Sequence, residues 1–217
     1  LKSPNMVGIT GANGFIGAHL LCYAIKNQFA IRALIREKAS LNFFQNLCSF
    51  YGIEKEEVTK LITWVDINYR DPYSYTEALK GCTSLIHTAG FVCFDDYYAD
   101  ELLLINQRIT KKLVNAALAE EGLSSFVYLS SIAALPEKKR KTEKLAKQFS
   151  TCYGLSKYLG ELEVIRGKEE GLKTSIIQPG IVVGPCPPDH SLSQWISLME
   201  QGFAFTGSGS AGFTDYR

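Results

Sequence analysis

Residues 10–17 read TGANGFIG, in which Gly11, Gly14 and Gly17 are spaced GxxGxxG. Immediately upstream, Met6 to Thr10 is a short apolar run. Immediately downstream, Ile16, Leu20, Leu21, Ala24 and Ile25 recur at helical spacing. In a strand–turn–helix setting the first glycine permits a tight turn and the second lets backbone approach a pyrophosphate. The third allows the helix to pack closely on the strand. Amides at the helix N-terminus then face the anion. Asn13, Phe15 and Ile16 belong to the same turn and are counted with the glycines as dinucleotide contacts.

Working outward, the chain alternates strand and helix patterns. Ala30 to Ile35 reads as a strand, and Ser40 to Lys60 carries mixed helical signals. Ile62 to Val65 is a strand, Ser74 to Leu79 a short helix stopped by Gly81, and Ser84 to His87 a strand. A long helix is predicted from about Glu101 to Glu120, a strand at Phe126 to Leu129, and a helix from Tyr153 to Glu169. Thr174 to Ile177 is the last clear strand. Repeated βαβ units imply an α/β fold: a doubly wound parallel sheet of the Rossmann kind with helices on both faces. Such sheets bind ligands outside the carboxyl ends of their strands. After Pro179 only one helix is predicted, about Leu192 to Gln201, which is too little for a lobe with its own core. The expected division is residues 1–185 as the nucleotide-binding domain and residues 186–217 as the start of a small or incomplete substrate lobe.

The composition excludes several classes. The 23 basic and 22 acidic side chains leave a net charge of +1, so no global field draws the chain to nucleic acid or membrane. No uninterrupted apolar stretch approaches the ~18 residues that would span a bilayer. Leu1 to Val7 lacks the features of a secretory signal, which makes the cytoplasm the default compartment. The six cysteines, Cys22, Cys48, Cys82, Cys93, Cys152 and Cys186, form no CxxC and no metal-ligand spacing. They read as reduced and mostly packed, and no metal site is expected.

The end of the second strand selects the dinucleotide. An NAD site usually places Asp or Glu there to hold the ribose 2′-hydroxyl. Here that place falls near Ile35 and Arg36. A guanidinium pairs with a 2′-phosphate, so NADP(H) is favoured over NAD(H), with Lys38 able to add charge and Glu37 the competing NAD reading. Asp66, with the Ile67 amide beside it, is read either as the acceptor for the adenine amino group or as a cap for the turn before Asp71. Thr88, Ala89 and Gly90 are small enough for a cofactor to lie against backbone. His87 reads as a packed strand residue.

Tyr153 and Lys157 stand four apart in YGLSK, on one face of a helix. Reduction of a carbonyl needs a proton donor for the developing alkoxide. A tyrosine near pKa ~10 releases its proton reluctantly, and a neighbouring ammonium favours the phenolate while also reaching ribose hydroxyls. Ser131, just past the preceding strand, supplies a hydroxyl to orient the carbonyl, with Ser130 as its competitor. Asn106, inside the long helix, either orders groups near the site or packs.

With these residues in place, the chain resembles the extended short-chain dehydrogenase/reductase family, of the NAD-dependent epimerase/dehydratase type. It is closest to the dihydroflavonol-4-reductase and cinnamoyl-CoA-reductase group. TGANGFIG resembles the glycine motif, AIRALIR the second strand with its NADP-selecting Arg36, and VDIN the segment with Asp66. YLSS carries Ser131, and YGLSK the Tyr153/Lys157 pair. QPGIVVGP resembles the strand that closes over the nicotinamide at Pro179, Gly180, Ile181 and Val182. GFTDYR resembles the lead into a C-terminal substrate domain. The resemblance implies an oxidoreductase acting on a small-molecule carbonyl or alcohol, and a homodimer is common in such families. Gln178 departs from the Arg or Asn of many relatives, and Lys138 to Lys147 packs six basic residues into ten, a solvated insertion or an attractor for an anionic substrate.

The leading expectation is reduction of an aldehyde, ketone or activated acyl group with Tyr153 as proton donor. The alternatives are a nucleotide-sugar epimerase or dehydratase, a 3-beta-hydroxysteroid dehydrogenase, or a regulatory protein that binds NADP(H) without turnover.

Overall fold

The computed structural model describes residues 6–36, 40–68, 71–136, 148–188, 190–202 and 213–215. Glu37, Lys38 and the basic stretch from Lys138 to Lys147 lie outside them, as do Gly212, Tyr216 and Arg217 of the GFTDYR end.

Six parallel strands form one sheet in the order β3-β2-β1-β4-β5-β6. They are β1 (Val7–Thr10), β2 (Ile31–Arg36), β3 (Ile62–Ile67), β4 (Ser84–His87), β5 (Ser125–Leu129) and β6 (Lys173–Ile177). The order reverses direction between β1 and β4, which makes the crevice at their carboxyl ends the place where this architecture receives a ligand. This is the doubly wound α/β sheet that the sequence predicts.

Helices cover both faces because successive strand residues point to opposite sides. Along β2, Ile31, Ala33 and Ile35 join one core with Leu21 and Ile25 of α1 (Phe15–Lys26) and Phe44 and Leu47 of α2 (Asn42–Tyr51). Leu34 joins the other, with Leu79 of α4 (Pro72–Leu79), Leu113 of α6 (Thr110–Ala119) and Val164 of α7 (Cys152–Glu169). At the β6 edge the outer strand is half open, and Ile177 is 51% exposed.

Three elements depart from the sequence reading. Ser40 to Lys60 resolves into α2 and α3 (Lys55–Leu61). Gly52 adopts a left-handed φ of 63° after α2, and a capping box between Glu54 and Glu57 starts α3. The long helix predicted over 101–120 is α5 (Ala99–Leu103), a π-helical turn at Leu104–Ile109, and then α6. Within that wide turn the Asn106 carbonyl accepts from the hydroxyls of Thr110 at 2.8 Å and Tyr128 at 3.3 Å. Finally, the strand that QPGIVVGP resembles is present as β7 (Ile181–Val183), and it pairs in parallel with an unforeseen β8 (Phe213–Asp215) as a separate two-stranded sheet, with α8 (Ser191–Glu200) between them in sequence. Strands three residues long are too short to carry a periodic signal.

Candidate active site

The glycine turn is built from backbone. Gly11 has φ of 66°, and its carbonyl accepts from the Gly14 amide at 2.9 Å. Gly14 then caps α1 without any side-chain bond, so the first-turn amides of α1 lack partners from the helix itself. A Cβ on Gly11 would lie 2.7 Å from the Ala89 backbone, and one on Gly17 2.8 Å from the Gly11 carbonyl carbon. Both positions therefore exclude any other residue, and the turn stays low enough for an anion to approach. Asn13 donates to the Ser40 carbonyl at 3.3 Å, and Phe15 meets His19 and His190 edge-on. Ile16 is half-buried at the start of α1.

Thr88, Ala89 and Gly90 run alongside this turn. The Thr88 hydroxyl donates to the Thr10 carbonyl at 2.7 Å, and the Ala89 amide to the Thr10 hydroxyl at 3.3 Å. Underneath lies His87, fully buried and in register with Thr10. Its Nε2 lies 3.0 Å from the Thr110 hydroxyl, which already donates to the Asn106 carbonyl. The imidazole must therefore donate through Nε2 and accept through Nδ1 from the Thr10 hydroxyl, 2.6 Å away. Burial, and secondarily the charge of Lys157, pushes His87 down to about 3. It is a neutral structural strut.

Arg36 and Asp66 are exposed at the carboxyl ends of adjacent strands, with Arg36 in register with the buried Ile67. The helix α4 is capped by Asp71, which accepts from the Tyr73 amide at 3.0 Å.

The second half of the site gathers beyond β5. The backbone is extended at Ser131, so neighbouring hydroxyls part company. The Ser131 hydroxyl lies beside the Tyr153 phenol, where it favours the ionised form, and accepts from the Ala133 amide at 3.2 Å. Ser130 is 4% exposed and donates instead to Glu161. Thr151 caps α7 by accepting from the Gly154 amide at 3.0 Å, which fixes Tyr153 in the first turn. Tyr153 is 8% exposed and meets Phe94 edge-on at 5.7 Å. Burial pushes its phenol up, and the Ser131 hydroxyl partly offsets this. Lys157 contributes none of the lowering expected of it, and the net shift is upward, set by burial.

Lys157 donates to the Leu129 carbonyl at 2.6 Å and sits 4.3 Å over the Tyr128 ring. Burial takes it down to about 7, against a smaller opposing effect of Glu161. A Cβ on Gly90 would lie 3.7 Å from its Nζ and 3.3 Å from Asn106 Oδ1, so Gly90 brings the first half of the site against the second. Pro179 closes the far side: its carbonyl accepts from the Ile132 amide at 3.0 Å, and the Gly180 amide donates to Thr214 at 3.3 Å. Ile181 and Val182 follow in β7.

Several participants escaped the sequence reading. Asn106 stood there between ordering and packing. Its side chain bonds both backbone groups of Phe91, at 2.8 and 2.9 Å, and donates to Ser156 at 3.0 Å. Ser156 in turn donates to the Tyr153 carbonyl at 2.7 Å. Glu161 and Gln178 (bonded to each other at 2.8 Å) complete the setting. The one available signal was a polar residue breaking an apolar run, as Asn106 does in LLLINQ, or a Glu four residues past the lysine.

Among the described residues no group of three or more His, Cys, Asp or Glu side chains could hold a metal ion. No helix there is long and apolar enough to cross a membrane. All six cysteines are free, and Cys22 and Cys48 are both buried.

Residues 7–211 match a family described as NAD dependent epimerase/dehydratase. Cinnamoyl-CoA reductase 1 of Petunia hybrida is 27% identical over 196 residues, covering 84% of this chain and 56% of the relative. A dihydroflavonol 4-reductase of Hordeum vulgare is 25% identical over 199 residues, covering 85% and 54% respectively. The chain thus spans little more than half the length of these relatives. The crystal structure of the terminal R domain from the myxalamid PKS-NRPS biosynthetic pathway superposes with a TM-score of 0.81 at 20% identity. That match covers 100% of this chain and 60% of the other, and shows the shared fold.

Proposed function

Because this chain belongs to the NAD dependent epimerase/dehydratase family, an extended short-chain dehydrogenase/reductase family, we propose that it is the nucleotide-binding part of an NADP(H)-dependent reductase of aldehydes, ketones or activated acyl groups. The observation that carries this reading is the Ser131–Tyr153 hydroxyl pair, held at the same sheet end as the glycine turn with Lys157 one helical turn further along α7.

The residues present fit a dinucleotide. The glycine cradle that a Cβ would fill leaves room for a pyrophosphate against the first-turn amides of α1. Arg36 would pair with a 2′-phosphate and Asp66, with the Ile67 amide, would meet the adenine. Thr88 to Gly90 and Pro179 to Val182 would flank the nicotinamide, and Lys157 would hold ribose hydroxyls. When bound, NADPH supplies the hydride.

The protein's part is proton supply and charge control. Ser131 orients the carbonyl oxygen beside Tyr153, whose protonated phenol gives its proton to the developing alkoxide. A phenol raised by burial is present in its protonated form at neutral pH, as a donor must be. Arg36 speaks against a tightly held NAD+ of the sugar-epimerase kind, since a carboxylate belongs at that place in such a site. Residues beyond about 185 begin the substrate lobe in this reading.

The test is NADPH consumption by the full-length protein over a panel of aldehydes, ketones and acyl-CoA esters. Tyr153→Phe should lower kcat/KM by about 10²-fold or more. Retained turnover would sink the assignment. Arg36→Ala should weaken NADPH binding far more than NADH binding, and equal losses would remove the 2′-phosphate role.

A further inference from the structure

We infer that Glu161 is a positioning residue for the Tyr153–Lys157 pair, its buried carboxylate acting as the counter-charge that keeps the Lys157 ammonium in place. The inference rests on Tyr153 and Lys157 being the working pair. It begins from burial: Glu161 is 7% exposed and Lys157 4%, on successive turns of one helix. Two charges so far from water are costly unless they answer one another.

The partners of Glu161 are neutral. Its Oε1 accepts from the Ser130 hydroxyl and from the Gln178 amide at 2.8 Å. Those bonds clamp the carboxylate at the carboxyl ends of β5 and β6, yet neither donor carries charge. The groups facing Lys157 from other elements leave it equally without compensation. From β4, His87 remains neutral at pH 7. From β5 come the Leu129 carbonyl and the Tyr128 ring, whose phenol burial holds protonated. From the π-helical turn comes the neutral amide of Asn106, beside Gly90. Tyr153, on α7 itself, is held protonated by its own burial. Glu161 is therefore the acidic side chain of this set, buried one helical turn from Lys157, and it opposes the effect of burial on the ammonium.

Ser131 serves the phenol, while Ser130 fixes the carboxylate behind the lysine.

The experiment is an NMR titration of the full-length protein labelled with ¹³C-lysine, without cofactor or substrate, in which the Lys157 Cε signal is assigned by its absence from Lys157→Met. In Glu161→Gln the acid dissociation constant of Lys157 should rise about tenfold or more, so that its midpoint falls by about one pH unit. The alkaline limb of kcat/KM for NADPH-dependent reduction of cinnamaldehyde should move the same way, because the required ammonium is lost at lower pH. If Glu161→Gln does not fold, Glu161→Asp gives the same readout with a smaller displacement. An unmoved Lys157 midpoint in either folded variant overturns the proposal. Tyr153→Phe distinguishes the two readings: retained turnover removes the reductase assignment, and the Lys157 midpoint still decides the electrostatic pairing.

Discussion

At the carboxyl end of β1 the chain works with backbone, and at the carboxyl end of β5 it works with side chains. Around Gly11, Gly14 and Gly17 the working groups are amides whose positions follow from tight turns and close approach. Around Tyr153 and Lys157 the working groups are ionisable and nearly dry, held by Ser131, Leu129 and Glu161. The first region should be intolerant of added volume and indifferent to pH. The second is as close-packed at Gly154 and Gly160, where a Cβ would meet the Ala133 and Asn106 carbonyls, and in addition it stores the cost of keeping charge away from water. Mutations that separate volume from charge therefore test the contrast.

The largest effect is expected at Gly17. A Cβ there meets the Gly11 carbonyl carbon at 2.8 Å and Ala12 Cα at 2.9 Å, both backbone atoms that cannot move aside cheaply. Gly17→Ala should cost more than about 5 kcal/mol or abolish folding, as measured by urea unfolding followed by circular dichroism. Gly14 has an ordinary φ of −78°, and its Cβ would meet only the Gly11 carbonyl oxygen, at 3.2 Å. Gly14→Ala should stay within about 1 kcal/mol of wild type and instead weaken dinucleotide binding. Equal destabilisation by both substitutions would mean that close packing does not govern this turn.

Lys157→Met removes charge at nearly constant volume from the other region. The folded-state value of about 7 lies below the 10.5 of an ordinary lysine, so the folded chain binds fewer protons than the unfolded one between those values. Wild-type stability from this group therefore rises with pH across that window and is low at pH 7. Lys157→Met should lack that rise, so its stability relative to wild type should be higher at pH 7 than at pH 10.5 by about 4 kcal/mol. The Glu161 carboxylate it leaves unanswered lowers it at both pH values, and reductase activity is lost. A difference from wild type that does not change between pH 7 and pH 10.5 would show that the site stores no such cost.

The two regions also differed in how far they could be read from sequence. The glycine turn is local: eight consecutive residues contain its geometry, and the apolar runs on either side identify its strand and helix. Tyr153 and Lys157 are likewise joined by a fixed helical spacing. What sets their chemistry is not local. Adjacent serines look alike in sequence, and only the extended backbone at Ser131 sends one hydroxyl to Tyr153 and the other to Glu161. The π-helical turn at Asn106 depends on hydroxyls from Thr110 and from Tyr128, 22 residues away in sequence. Composition cannot show whether a polar residue in an apolar run is satisfied by such partners or merely tolerated.

His87 joins the two regions and gives the smallest of the predicted effects. Its imidazole accepts from Thr10 at the glycine turn and donates to Thr110 beside the Asn106 bend, a pattern that requires the neutral ring. Its folded-state value of about 3 lies below the 6.5 of an ordinary histidine, so the unfolded chain binds more protons between these values. The stability His87 contributes is thus present above pH 6.5 and lost as pH falls towards 3, by about 2 kcal/mol between pH 6.5 and 4.5. Lys157, with a folded-state value of about 7, adds slope of the same sign only at the upper edge of that range and almost none below about pH 5.5. In His87→Asn the corresponding part of the acid-induced decline should vanish when unfolding free energy is followed by urea titration at successive pH values. An identical decline in the variant would mean that the buried ring does not carry the acid sensitivity. The strut would then join the glycine turn to the Tyr153–Lys157 cleft by shape alone.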